Sequence, residues 1–289
     1  MFTRPALPDD QSSLSRLLRS TPFYHTHLDW QPPEAWLGAR PFYFAMSGDK
    51  LAGAMSAAPD PPEVAWLRLA IVAEKTDEAA ALDSLWQTTR NTLIEMKVAQ
   101  VACMMVNDWL TPHLARWGFD HLVDVVVLAR KRSMIRLPAS WQPPLALSPG
   151  VHLRPALAND LPVIAKVDAA AFDPPWQYSP RVLEQALAHA DYATVAEAGG
   201  KMIGYQISTG GRHGGHLARL AVQPESQGRG LGRALVSDLI RHFEKRGLSQ
   251  ITVNTQKNNV ASLALYKAVG FELTEDYYPV WRLVLKGPG

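Results

Sequence analysis

The segment Gln227-Gly228-Arg229-Gly230-Leu231-Gly232-Arg233 is the stretch of this 289-residue chain best suited to chemistry. Three glycines at alternate positions let backbone N–H groups turn toward one point with no β-carbon in the way. Behind them Leu231, Leu235, Leu239, Ile240 and Phe243 recur with helical spacing, so the loop opens an amphipathic helix. The helix start adds unpaired first-turn N–H groups and the positive end of its dipole. Such a site suits a phosphate or pyrophosphate, with Arg229 and Arg233 supplying charge at its rim. Two familiar phosphate loops are excluded by residue identity. No Gly-Lys-Ser/Thr follows the glycines, and Arg233 stands where the dinucleotide fingerprint has its third glycine. A plain strand-to-helix turn that binds nothing is the bland alternative.

A second block runs from Asn259 to Phe271. Tyr266 lies seven residues after Asn259, about two turns along the same helix face. Taken alone, Tyr266 also reads as an ordinary core tyrosine. Other reactive types are poorly placed. Cys103 sits in the apolar run from Val101 to Val106, which suits a buried thiol rather than a nucleophile. His213 and His216 form an H-x-x-H pair with no acidic or cysteine partner in view, so no metal is expected.

The Q-x-x-G-x-G spacing from Gln227 to Gly232 resembles the acetyl-coenzyme A loop of the GNAT N-acetyltransferase superfamily. The block Asn259–Phe271 resembles the same superfamily's N-x-x-A-x-x-x-L-Y-x-x-x-G-F element. The likeness covers residues 151–286. Phe172-Asp173-Pro174-Pro175-Trp176 and Tyr277-Tyr278-Pro279 are similar to segments of the ribosomal-protein alanine N-acetyltransferases. The resemblance implies acetyl-CoA as co-substrate, held by Gln227, Gly228, Arg229, Gly230, Leu231, Gly232, Arg233 and Asn259. It implies that a backbone N–H at about Ala221 or Val222 holds the thioester carbonyl, and that Tyr266 protonates the departing thiolate. A thiolate of pKa ~8.5 leaves better with a proton donor in reach, and the backbone donor stabilises the developing oxyanion. The acceptor is then a primary amine, on a small molecule or a peptide N-terminus, attacking directly. In the alanine N-acetyltransferases a glutamate lies five residues before the asparagine; here that position is Asn254, which cannot act as a base. His216, Glu225 or a water held by backbone carbonyls remain as candidates. A noncatalytic acyl-CoA-binding sensor or scaffold is the rival to an enzyme.

The elements that must position these groups occur twice. Thr3-Arg4-Pro5-Ala6-Leu7 matches Leu153-Arg154-Pro155-Ala156-Leu157 at an offset of 150. Gly48–Gly53 matches Gly199–Gly204, and Arg68-Leu69-Ala70 matches Arg219-Leu220-Ala221, at 151. Asn107 and Gly118-Phe119 match Asn259 and Gly270-Phe271 at 152. Four matches in order predict two copies of one fold. The copies span residues 1–137 and 151–289, joined by a proline-rich linker over 138–150. In the second copy the patterning predicts strands over 151–154, 192–197, 202–208, 216–222 and 250–255, then two final strands over 271–274 and 280–285. Helices are expected over 159–171, 179–189, from 231 toward Gly247, and over 260–269. The class is α/β or α+β: two tandem GNAT-like domains, each a mixed sheet flanked by helices. The first copy has lost the chemistry. Its counterpart of the glycine loop is Thr76-Asp77-Glu78-Ala79-Ala80-Ala81, and Leu114 stands in place of Tyr266. It reads as a degenerate copy, leaving one active site per chain. Trp30, Trp36 and Trp176 are candidates either for an acceptor groove or for packing.

Composition sets the outer bounds. The chain is 47% hydrophobic and 19% charged, with a net charge of +2, which gives no electrostatic case for nucleic acid. A single cysteine excludes a disulfide framework. No apolar run approaches the ~18 residues of a membrane span. The chain is expected to be cytoplasmic, as monomer or dimer.

Overall fold

The computed structural model describes residues 1–22, 24–131, 147, 150–212 and 214–285. His213 and nearly all of the segment 138–150 lie outside the described residues. The chain divides into two compact units, Met1–Val123 with Tyr278–Gly289, and Asp124–Tyr277. Each combines antiparallel strand pairs with one parallel pair, flanked by helices.

The first unit contains β1 (Phe2–Pro5), α1 (Gln11–Ser20), β2 (Tyr24–Thr26), β3 (Phe42–Ser47), β4 (Lys50–Ser56), β5 (Val64–Trp66) and β6 (Leu69–Val72). Then follow α2 (Glu78–Glu95), β7 (Gln100–Met104), α3 (Thr111–Arg116) and the start of β8 (Asp120–Lys131). One antiparallel sheet has the order β1-β3-β4-β6-β2. Separately, β5 and β7 pair in parallel. α2 buries Ala81, Leu82, Leu85, Trp86 and Leu93 in a core shared with Met55, Val101 and Phe119.

The second unit contains β9 (Val151–Pro155), α4 (Leu161–Ala171), α5 (Pro180–Ala188), β10 (Tyr192–Ala198), β11 (Lys201–Gly210) and β12 (Gly215–Val222). α6 (Leu231–Lys245), β13 (Gln250–Gln256), α7 (Val260–Ala268) and the first part of β14 (Glu272–Val284) complete it. α5 starts where Ser179 Oγ accepts from the backbone N–H of Val182 at 3.2 Å, the cap that the Ser-Pro pair predicts. α6 buries the expected face, Leu231, Leu235, Leu239, Ile240 and Phe243.

The repeat is geometric as well as textual. Arg4 clasps Asp10 with two bonds of 2.7 Å, while the Leu7 N–H donates to the same carboxylate at 2.8 Å. Arg154 clasps Asp160 at 2.7 and 2.8 Å, and Leu157 N–H donates at 2.8 Å. The helices α3 and α7 end alike: Phe119 N bonds Leu114 O, and Phe271 N bonds Tyr266 O, each at 3.0 Å. The intervening Gly118 and Gly270 sit at φ +86° and +88°, the left-handed turn that closes a helix this way.

The last strands depart from the pattern read in the sequence. Glu272–Val284 form one continuous strand, β14, rather than two. Its residues Val280–Val284 pair with β7 in the first unit, and β8 residues Val125–Lys131 pair along all of β13 in the second. The closing strand of each sequence copy thus completes the unit built mainly by the other copy. Alternation of apolar residues shows that a strand forms but not which edge it joins.

Candidate active site

The site is built around β12. Its pairing with β11 slips between Ile207 and Ser208, where Ala218 is an extra residue. The slip reverses which way later side chains point. Before it, Leu217 packs with Val236, Leu239 and Phe243 of α6; after it, Leu220 and Val222 face Leu231 and Leu235. Arg219 and Ala221 therefore face the α4 side. On its other edge β12 pairs in parallel with β13 only through Gly215↔Ile251, His216↔Thr252 and Leu217↔Val253. Beyond Leu217 the two strands separate. Among the described residues no strand lies on the β12 edge from Ala218 to Val222, so its amide and carbonyl groups there can receive an extended polar ligand.

The glycine loop lies at the end of that open edge. A short turn, Pro224–Ser226, leads into it, and Gln227 Nε2 donates back to Val222 O at 3.0 Å, fixing the loop to the strand. Gly228 and Gly230 sit at φ +72° and +80° with open space where a β-carbon would be. The backbone conformation, not crowding, demands glycine there. Gly230 is the residue before α6 and offers no capping side chain, so the N–H groups of Leu231, Gly232 and Arg233 are uncapped. Arg229 and Arg233 are exposed beside them. A β-carbon on Gly232 would come within 3.2 Å of Leu265 Cδ2, so the start of α6 lies against the residue preceding Tyr266.

Tyr266 is buried, 4% exposed, in a cluster with Val126, Leu217, Val253 and Phe271. Burial raises its pKa, which keeps the proton on the hydroxyl. That hydroxyl has no hydrogen-bond partner among the described residues. Asn259 sits at the start of α7; its Oδ1 accepts from Ser262 N at 3.0 Å, and its Nδ2 donates to Gln256 Oε1 at 3.4 Å. It orients the helix that carries Tyr266.

His216 stands at the vertex of the separation, on the last-but-one paired rung of β12. Its Nδ1 lies 2.9 Å from Thr252 Oγ1, and burial lowers its pKa. Among the described residues no cluster of three or more His, Cys, Asp or Glu side chains could hold a metal, and no helix is long and apolar enough to cross a membrane.

The GNAT acetyltransferase family profile matches residues 161–271, which span this whole arrangement. The [ribosomal protein bS18]-alanine N-acetyltransferase of Escherichia coli is 31% identical over 124 residues, 42% of this chain and 82% of that protein. The mycothiol acetyltransferase of Saccharomonospora viridis is 32% identical over 173 residues, 51% of this chain; the match spans 56% of that protein, little more than half. This chain belongs to the GNAT acetyltransferase family. A tandem GNAT protein from the clavulanic acid biosynthesis pathway shares the fold across 99% of both chains, with a TM-score of 0.61 and 15% identity.

One group at this GNAT site was missed by motif reading. Arg219 projects from the open stretch of β12 and bonds Asp168 of α4 through Nε at 2.7 Å and Nη2 at 2.8 Å. Nη2 also donates to Trp176 O at 2.7 Å, and the guanidinium lies 3.5 Å from the Phe172 ring and 3.9 Å from the Tyr178 ring. Asp168 is fully buried and also accepts from Tyr205 Oη and, at 2.9 Å, from Tyr178 N. Burial opposes the Arg219 charge, but the bonds to Asp168 outweigh it and hold the pKa above its ordinary value. One guanidinium thus ties the segment 172–178 to the strand that would hold the thioester. The Arg-Leu-Ala repeat was the available signal, because Arg68 in the first unit likewise pairs with Asp29 and lies 3.7 Å from the Trp36 ring. That contact makes Trp36, 3% exposed, a packing residue. Cys103 is fully buried, and burial raises its pKa, so it is inert as a nucleophile.

Proposed function

We propose that the second unit transfers an acetyl group from acetyl-CoA to a primary amine, on a small molecule or a peptide N-terminus, by direct attack. The observation that carries this reading is the uncapped α6 N-terminus, with Gly228 and Gly230 in left-handed conformations, set at the end of the open β12 edge. The first-turn N–H groups of α6, with Arg229 and Arg233, would hold the pyrophosphate. The β12 amides around Ala221 and Val222 would hold the thioester carbonyl and stabilise negative charge as it develops there.

Two side chains divide the proton chemistry. Tyr266, neutral and without a competing partner, gives its proton to the departing thiolate. His216 takes the proton from the attacking amine. Thr252 Oγ1 lies 3.4 Å from Gly215 O, a group that only accepts, so the hydroxyl donates there and accepts from His216 Nδ1–H. The lone pair is then on Nε2. Gln227 and Asn259 keep the loop and α7 in place rather than react.

The test is release of free CoA thiol across a panel of amines, including a peptide with N-terminal alanine and the amine precursor of mycothiol. Tyr266→Phe should lower kcat about 100-fold, the lower range for a general acid, with acetyl-CoA affinity and Tm unchanged. A chain that binds acetyl-CoA but turns over no amine supports a sensor or scaffold instead.

A further inference from the structure

The parallel pairs that open the two units share one register. β5 pairs with β7 as Val64↔Gln100, Ala65↔Val101 and Trp66↔Ala102. β12 pairs with β13 as Gly215↔Ile251, His216↔Thr252 and Leu217↔Val253, each residue 151 later. In both units the pairing stops after the third rung while the first strand's course continues, as β6 in one and as Ala218–Val222 in the other. There the units differ. The β12 edge is open, whereas the same edge of β6 carries β2 as Tyr24↔Ile71, His25↔Ala70 and Thr26↔Leu69. His27 N extends the ladder to Arg68 O at 3.0 Å.

Side chains lock this strand down. His25, 2% exposed, places Nε2 2.8 Å from Leu67 O at the break between β5 and β6. The His27 ring stacks on Trp66 at 4.6 Å, and Asp29 pairs with Arg68. Further along, the site that would receive a phosphate is also filled. Asp77 caps α2 by accepting from Ala80 N at 3.0 Å, where α6 has only Gly230. A carboxylate in that place repels a pyrophosphate and satisfies the N–H it would use.

We infer that β2 is a built-in occupant of the first unit's acyl-carrier slot: the backbone of Tyr24–Thr26 takes the strand edge that an acyl-CoA pantetheine, with its two amides, would take on β12. The first unit is therefore sealed to acyl-CoA, and its slot holds structure rather than ligand. This rests on the reading of the second unit as the acetyl-CoA domain, so the test separates the two.

The full chain is titrated with CoA by calorimetry, as wild type and as Gly230→Asp, and amide exchange is followed with and without CoA. One CoA should bind per chain, with no binding left in Gly230→Asp. Exchange of the amides in 218–222 should slow at least tenfold with CoA. Those in 24–26 and 69–71 should be protected beforehand and unchanged. Two CoA per chain, with one retained by Gly230→Asp, overturns the inference and spares the reading of the second unit. A single site that survives Gly230→Asp and protects 69–71 overturns both, as does a chain that binds no CoA.

Discussion

Cutting the chain at the proline-rich segment should destroy the second unit rather than liberate it. A fragment of residues 150–289 keeps the loop, Tyr266 and His216 but loses β8. In the intact chain β8 pairs with β13 over seven rungs, from Lys131↔Gln250 to Val125↔Gln256. It buries Val125, Val126, Val127 and Leu128, of which Val126 and Leu128 belong to the cluster around Tyr266. Each fully buried aliphatic side chain contributes about 1.5–3 kcal/mol, so the loss is about 6–12 kcal/mol before the exposed β13 edge is counted. That equals the whole stability of an ordinary domain, about 5–15 kcal/mol. Arg130 goes too, with its bonds to Glu244 at 2.7 Å and Val269 O at 3.1 Å. The assay is thermal unfolding by far-UV circular dichroism of 150–289 beside the full chain, with a synthetic peptide of residues 120–132 added in trans. The fragment should lack a cooperative transition, and the peptide should restore one. A fragment that melts cooperatively within a few degrees of the full chain would refute the strand exchange as a requirement for folding.

Other consequences concern charge and protons. Asp168→Ala leaves the Arg219 guanidinium buried without its carboxylate and should cost about 3–5 kcal/mol in urea unfolding. Burial holds the His216 pKa below its ordinary ~6.5, so the acidic limb of kcat/KM should fall below that value and disappear in His216→Ala. Burial brings His25 down to about 4. Because the unfolded chain then binds the proton more tightly, the contribution of neutral His25 is full above pH ~6.5 and is lost as pH falls toward 4, by about 3 kcal/mol. His25→Asn should flatten that part of the stability–pH profile, measured by urea unfolding at pH 7 and 4.5.

Legibility in the sequence followed the range of the interaction. The loop at 227–233 was readable because its conformation is demanded locally: Gly228 and Gly230 need positive φ whatever surrounds them. The α6 face was readable because helical periodicity is local. Arg219 was visible only as a repeated Arg-Leu-Ala. Its partner Asp168 lies 51 residues away, and nothing in either segment announces the pairing. The motif marks Asn259, and the structure adds that its side chain bonds Ser262 N and Gln256 Oε1 at the start of α7. A motif records a residue's position, and an asparagine at a helix start has two uses there.

By itself the sequence determined that one fold occurs twice and that the copies differ, since glycines and a tyrosine in one face carboxylates and a leucine in the other. These are matters of side-chain identity: a leucine has no proton to give, and carboxylates repel a phosphate wherever the chain places them. Tertiary structure alone decided which strands complete each unit and which edge stays open. A backbone edge offers the same N–H and C=O groups to any partner. Whether β8, β2 or nothing lies on it depends on the course of the whole chain, not on the residues of the edge.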